Sequence, residues 1–172
     1  MNTSFSFQEG SSESQDSEPP EPSQSNVVEI GIDEGVKGVD ASWLSKHTQK
    51  ALTELALRAS TIAVRVVNDD TMSSLHIEHS KIEGTTDVLT FHHSDETEPL
   101  SVDIAICLDE AERQASERGH STNHELLLYI VHGILHCIGF DDHTKAEHEK
   151  MHKEEDRILQ AIGVGPVWRQ SC

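Results

Sequence analysis

A chain of 172 residues is long enough to bury one real core and too short for several domains of ordinary size. Only 35% of its residues are apolar and its formal charge is −18, which argues against a broad basic nucleic-acid-binding face, since phosphate-binding surfaces draw their affinity from clustered Lys and Arg. Three cysteines without a CxxC spacing suggest neither a zinc knuckle nor a disulfide framework, and suit a reducing cytosol.

Residues 1–25 are mostly Ser, Glu, Pro, Gln and Asp, with Phe5 and Phe7 as their only aromatics, so burial there cannot offset the entropy of ordering and a disordered tail is expected. That stretch has no basic n-region and no apolar segment of signal length, and no run of about 18 apolar residues follows. A soluble, cytoplasmic protein with no membrane partner is therefore expected. Val27–Ile32 reads as a strand, Asp40 caps a helix to about Arg58, and Thr61–Val67 is a β-branched run of the buried-strand type. Asp70 can cap a short helix through about His79. Thr86–His92 and Leu100–Leu108 read as two strands of an antiparallel hairpin, followed by a helix over Glu110–Arg118. From Asn123 the chain reads as helix, in two pieces divided at Gly139. The sum is an α+β domain over residues 26–165 with a short C-terminal tail at 166–172: a small mixed β-sheet, helices packed mainly on one face, and a metal site on a C-terminal helix and the turn after it.

The chemistry is concentrated in that last part. His132 and His136 lie four residues apart in an apolar, Pro-free segment (LLLYIVHGILHCIG), so on a helix both imidazoles point one way. Gly139 allows a left-handed turn, and Thr144-x-x-Glu147 reads as a capping box that opens the next helix. The link Phe140–His143 can thus swing a third ligand over the pair, leaving an open place on a zinc ion. Spacing alone certifies nothing, because twelve His also make His120/His124 and His148/His152. These two pairs read as solvated surface, whereas His132/His136 sits where an unpartnered His is costly to bury.

The segment HGILHCIGFDDH, with Glu125 before it and Met151 and Glu155 after it, resembles the HGxLHxxGYDH signature of the YbeY endoribonucleases. TTDVLTF (Thr85–Phe91) resembles their PTDVLSF strand, and VDIAIC (Val102–Cys107) their GDIxIS strand, in the family order. This resemblance implies a zinc-dependent, single-strand-specific endoribonuclease with one Zn2+ per chain, acting in rRNA maturation (16S rRNA 3′-end processing) and ribosome quality control. Its expected partners are single-stranded RNA, rRNA and the small ribosomal subunit, with no DNA.

Family register puts the third ligand at Asp142, ten residues after His132, while the commoner zinc chemistry of imidazole puts it at His143. Register weighs slightly more, and the other side chain is expected just outside the ligands. An Arg of the family falls on Ser80 here, which leaves Lys81 as the nearest cation, able to supply charge but not a planar two-pronged contact. Val102 stands where the family has Gly, with an expected effect on packing. Glu125, seven residues before His132, is a candidate to orient that imidazole or to shuttle a proton, with capping or a salt bridge as its alternative roles. Asp87 and Asp103 alternate with apolar neighbours, so each faces either the site or solvent. Cys137 points away from the metal His and reads as a small core residue. Gly133 occupies the position at which HExxH proteases carry their general base, which disfavours a metalloprotease; a non-catalytic assembly factor stapled by zinc is the remaining alternative.

Overall fold

The computed structural model describes residues 25–95 and 98–168, so the expected N-terminal tail, Ser25 apart, lies outside the described residues. The elements are β1 (Val27–Ile32), α1 (Ala41–Glu54), β2 (Thr61–Val67), α2 (Asp69–Ser80), β3 (Val88–His92), β4 (Ser101–Cys107), α3 (Leu108–Arg118), α4 (Thr122–Cys137) and α5 (Lys145–Ala161). They form one mixed sheet in the order β1-β2-β4-β3, with β1, β2 and β4 parallel and β3 antiparallel to β4, so the α+β expectation and the hairpin pairing both hold.

Strand periodicity decides what each face buries. Ile62, Val64 and Val66 of β2 and Val102, Ile104 and Ile106 of β4 turn to one side and build the main core with α1, α4 and α5. Val67, Ala105 and Cys107 turn to the other side, where Met72 and Leu75 of α2 cover them. Helices thus sit mainly on one face, with α2 alone on the opposite one. Asp103 has the parity of Ala105 and bonds His93 at 2.9 Å on that far face, away from α4.

Several boundaries differ from the sequence reading for local reasons. Helix α1 stops at Glu54, short of Arg58, because Ala56 takes a left-handed φ of 56° and Leu57 N–H closes back to Leu52 O. Helix α2 is capped by Asn68, whose side chain accepts from Thr71 N at 2.9 Å, and Asp70 lies inside the first turn. Strand β3 begins two residues late, at Val88, just after Asp87, whose Oδ1 accepts from Val88 N and Thr86 Oγ1. The capping box at Thr144 and Glu147 is formed as expected, and Gly139 takes φ +101° in the turn before it. The C-terminal tail is packed through Trp168, since Val167 N and Trp168 N both donate to Asp156 Oδ1, at 2.7 and 3.0 Å.

Helix α4 is apolar nearly all round and is enclosed by β3, β4, α1, α3 and α5, which is why it can hold polar ligands in fixed directions. Its approach to the sheet depends on Gly133, where a Cβ would stand 2.9 Å from Thr90 Oγ1 and 3.4 Å from Ile104 Cδ1. Gly133→Ala is therefore expected to destabilise the fold by about 1–3 kcal/mol, the usual range for overpacking, read as an earlier urea midpoint. An unchanged midpoint would mean that Thr90 rotates away at no cost.

Candidate metal centre

The i, i+4 spacing on α4 brings His132 Nε2 and His136 Nε2 within 2.9 Å of each other. The turn after Gly139 carries Asp142 back over them, so that its Oδ2 lies 3.7 Å from each Nε2. These three residues form a compact set of potential ligands, each partly buried. Each ring is held from its other side. His136 Nδ1 lies 3.1 Å from the carbonyl of Phe140, which can only accept, so this nitrogen carries the proton. His132 Nδ1 donates to Glu155 Oε1 at 2.7 Å, and Glu155 is fully buried. With both Nδ1 atoms acting as donors, neutral rings turn two bare Nε2 lone pairs and a carboxylate oxygen to one point. Two lone pairs facing each other at that distance need a shared positive charge, either a proton or a cation. The donor set fits a divalent ion held by two imidazoles and one carboxylate, with second contacts already fixing the rings. Burial opposes the charged form of His132, but the bond from Glu155 and the charges of Glu155, Asp87 and Asp142 outweigh it, raising its pKa above the ordinary imidazole value.

The alternative third ligand stands elsewhere. The His143 side chain is 83% exposed and its Nε2 meets Asp141 Oδ1 at 3.3 Å on the outer side of the turn. Lys81 also lies apart, taking a left-handed φ of 60° at the end of α2 with its Nζ donating to Glu78 O, while Ser80 Oγ donates to His76 O. Glu125 does not touch His132. Seven residues along a helix is about 10 Å, too far for a carboxylate to reach an imidazole two turns on, and His132 takes its carboxylate from α5 instead. Glu125 is fully buried and accepts from Arg118 and His120. A second cluster, Asp69, Cys107 and Asp109, is poorly suited to a cation because Arg113 already clamps Asp69 at 2.7 and 2.9 Å, holding that carboxyl down to about 2.

A cavity of about 470 Å³ opens beside the centre. Its walls include Asp87, Arg118, Tyr129, His132, Asp142 and Trp168. Asp87 thus faces the site, unlike Asp103. His148 and His152 line it too; His148 is exposed, as its reading as solvated surface has it, whereas His152 is half-buried, stacked on Trp168 with centroids 3.7 Å apart, and Trp168 Nε1 donates to Glu155 Oε2 at 2.6 Å. Sequence spacing could not find Arg118 or Trp168, because each reaches the cavity from outside α4, whereas Tyr129, three residues before His132 on α4, shares its face and lay within reach of that spacing. Glu155 carried a signal only through the family resemblance.

The family model for endoribonuclease YbeY matches residues 32–163, from the end of β1 past the end of α5. Curated proteins named endoribonuclease YbeY that the chain resembles include one from Corynebacterium efficiens, 31% identical over 145 residues (77% of this chain and 72% of the relative). Others come from Shouchella clausii, 35% identical (67% and 81%), and Corynebacterium jeikeium, 36% identical (77% and 80%). A Thermotoga maritima protein solved in solution superposes with a TM-score of 0.55 over 85% of this chain and 97% of its own, at 22% identity, which speaks for the fold alone. With the family model running through the sheet, α4, its turn and α5, the chain belongs to the YbeY endoribonuclease family.

Proposed function

We propose that this chain is a zinc-dependent endoribonuclease specific for single-stranded RNA, acting in the cytoplasm in rRNA maturation at the 3′ end of 16S rRNA and in ribosome quality control, with the small ribosomal subunit as its partner. The observation that carries the reading is the convergence of His132 Nε2, His136 Nε2 and Asp142 Oδ2 at the wall of an open cavity, in a chain that belongs to an endoribonuclease family. His132, His136 and Asp142 would hold the zinc, which when bound supplies Lewis acidity and activates water for attack on a phosphodiester. The protein's own part is positioning. Glu155 and the Phe140 carbonyl fix the two imidazoles, and Asp87 is the further carboxylate on the cavity wall that can accept a proton from an attacking water. Glu125 acts at one remove, through Arg118.

Peptide hydrolysis is a weaker reading because the residue after His132 faces the sheet, where Thr90 and Ile104 leave no space even for a Cβ. A purely structural staple is weaker too, since Glu155 and the buried Met151 already join α5 to α4. The test is metal analysis of the purified protein together with cleavage of single- and double-stranded RNA before and after chelation. About one zinc per chain, cutting of single strands only, and loss of cutting on chelation with recovery on adding zinc are expected. Cleavage indifferent to chelation, or zinc-loaded protein that leaves RNA intact, would overturn the reading.

A further inference from the structure

The cavity beside the metal centre is acidic in composition, yet the strand it would receive is a polyanion. Asp87, Glu110, Asp142 and Glu155 line it, and Arg118 is the only Lys or Arg among its lining residues. Three of the acids are already engaged: Glu155 accepts from His132 and Trp168, Glu110 from Arg113 and Gln114, and Asp87 Oδ1 from Val88 N and Thr86 Oγ1. Arg118 is held with unusual firmness for an arginine. One of its nitrogens donates to the fully buried Glu125, and its guanidinium lies over Trp168 at 4.1 Å from the ring centroid. A guanidinium has five N–H donors in a planar fork, and only the one bond to Glu125 is made among the described residues, so donors remain for a ligand.

A second, independent feature lies on the same wall. Tyr129 is 4% exposed, lines the cavity, and its hydroxyl has no hydrogen-bond partner among the described residues. A buried hydroxyl left unpaired is costly, and native structures keep few of them, so the group is suited to a ligand that enters the cavity. A held guanidinium and an unpaired hydroxyl in the wall of a cavity beside the ligands of a metal centre suit an acceptor-only group of negative charge.

We propose that Arg118 and Tyr129 together bind a phosphate of the RNA strand beside the metal centre. The inference rests on the endoribonuclease reading given above. It also resolves the tension between a chain of charge −18 and an RNA substrate: the contact is one preorganised arginine in a cleft rather than a basic surface.

Steady-state cleavage of a labelled single-stranded RNA by the zinc-loaded full chain, repeated over a range of salt concentrations, tests the proposal. Arg118→Gln is expected to raise KM about tenfold or more, the range for a lost charge-assisted bond, with kcat nearly unchanged. The slope of log(kcat/KM) against log salt should become shallower by about 0.7, the value for one phosphate contact to a single strand. Tyr129→Phe should raise KM about threefold to tenfold at an unchanged or higher melting temperature, because it removes an unpaired buried hydroxyl. Arg65→Gln removes an equal charge that pairs with Asp33 far from the cavity, and should leave KM and slope at parental values. Should Arg118→Gln fail to fold with Glu125 left buried, the Arg118→Gln/Glu125→Gln double variant removes both charges and is expected to show the same rise in KM. Parental KM and slope in the Arg118 and Tyr129 variants of a protein that does cut RNA would overturn this proposal alone, as would an equal loss of slope in Arg65→Gln. A parent protein that cuts no RNA overturns the function first, and this inference with it.

Discussion

Replacing His132 and His136 together by Ala is expected to abolish metal binding and RNA cleavage at once. The two imidazoles supply two of the three protein ligands, and their Nε2 atoms, 2.9 Å apart, are the only nitrogens in that ligand set. Asp142 alone, partly exposed on a turn, would be left with the affinity of an ordinary surface carboxylate. Metal analysis after dialysis against a mild chelator should find zinc only at background, and the cleavage assay should follow it. Some stability is lost as well, because among the described residues Glu155 keeps only the Trp168 indole as a partner when His132 is removed, and a fully buried carboxylate needs its bonds. Far-ultraviolet circular dichroism separates the two effects, since α4 is fixed by Leu126, Ile130, Ile134 and Leu135 and should remain helical. Undiminished zinc in a folded double variant would place the metal elsewhere.

What could be read from the sequence follows the range of the forces involved. Strands β1 and β2 were legible to the residue, because a run of β-branched side chains between polar turns leaves few alternatives. The His pair on α4 and the capping box at Thr144 and Glu147 were legible for the same reason: both are fixed by spacings within one or two helical turns. Contacts made between elements were not. Glu125 shares a helix with His132 and read either as its orienting partner or as a salt-bridge residue; it is the salt-bridge residue, bonded to Arg118 and His120, and the carboxylate that reaches the ring is Glu155 of α5. His148 and His152 sat among acids and looked solvated. His148 is exposed, but His152 is drawn into the cavity wall because Trp168, beyond the end of α5, folds back to stack on it, and no local periodicity announces that return. His120 is likewise withdrawn from solvent by its bond to Glu125. Net charge is blind in a similar way. A sum over 172 residues cannot show that Arg118 stands in the wall of the cavity beside the metal centre.

Asp142→Ala should be far more damaging than His143→Ala, although the two residues are adjacent and imidazole is the commoner zinc ligand. Backbone direction decides between them. The turn after Gly139 sends the Asp142 carboxylate inward, 3.7 Å from both Nε2 atoms, and the next side chain outward, where His143 is 83% exposed with its Nε2 3.3 Å from Asp141 Oδ1. Loss of Asp142 removes the only negatively charged member of the ligand set, so zinc affinity is expected to fall by more than the about 10- to 100-fold typical of residues that merely support a ligand, and RNA cleavage to be lost. Loss of His143 is expected to change zinc affinity and cleavage by no more than about twofold, as for surface substitutions away from special features. Competition titrations with a chromogenic chelator rank the two affinities, and the cleavage assay provides an independent second ranking. The reverse order in both would mean that the turn opens when the metal binds and hands the third position to His143. Retention of zinc and of cleavage by both variants would leave His132 and His136 as the only protein ligands, and the centre drawn above would be wrong in its third member.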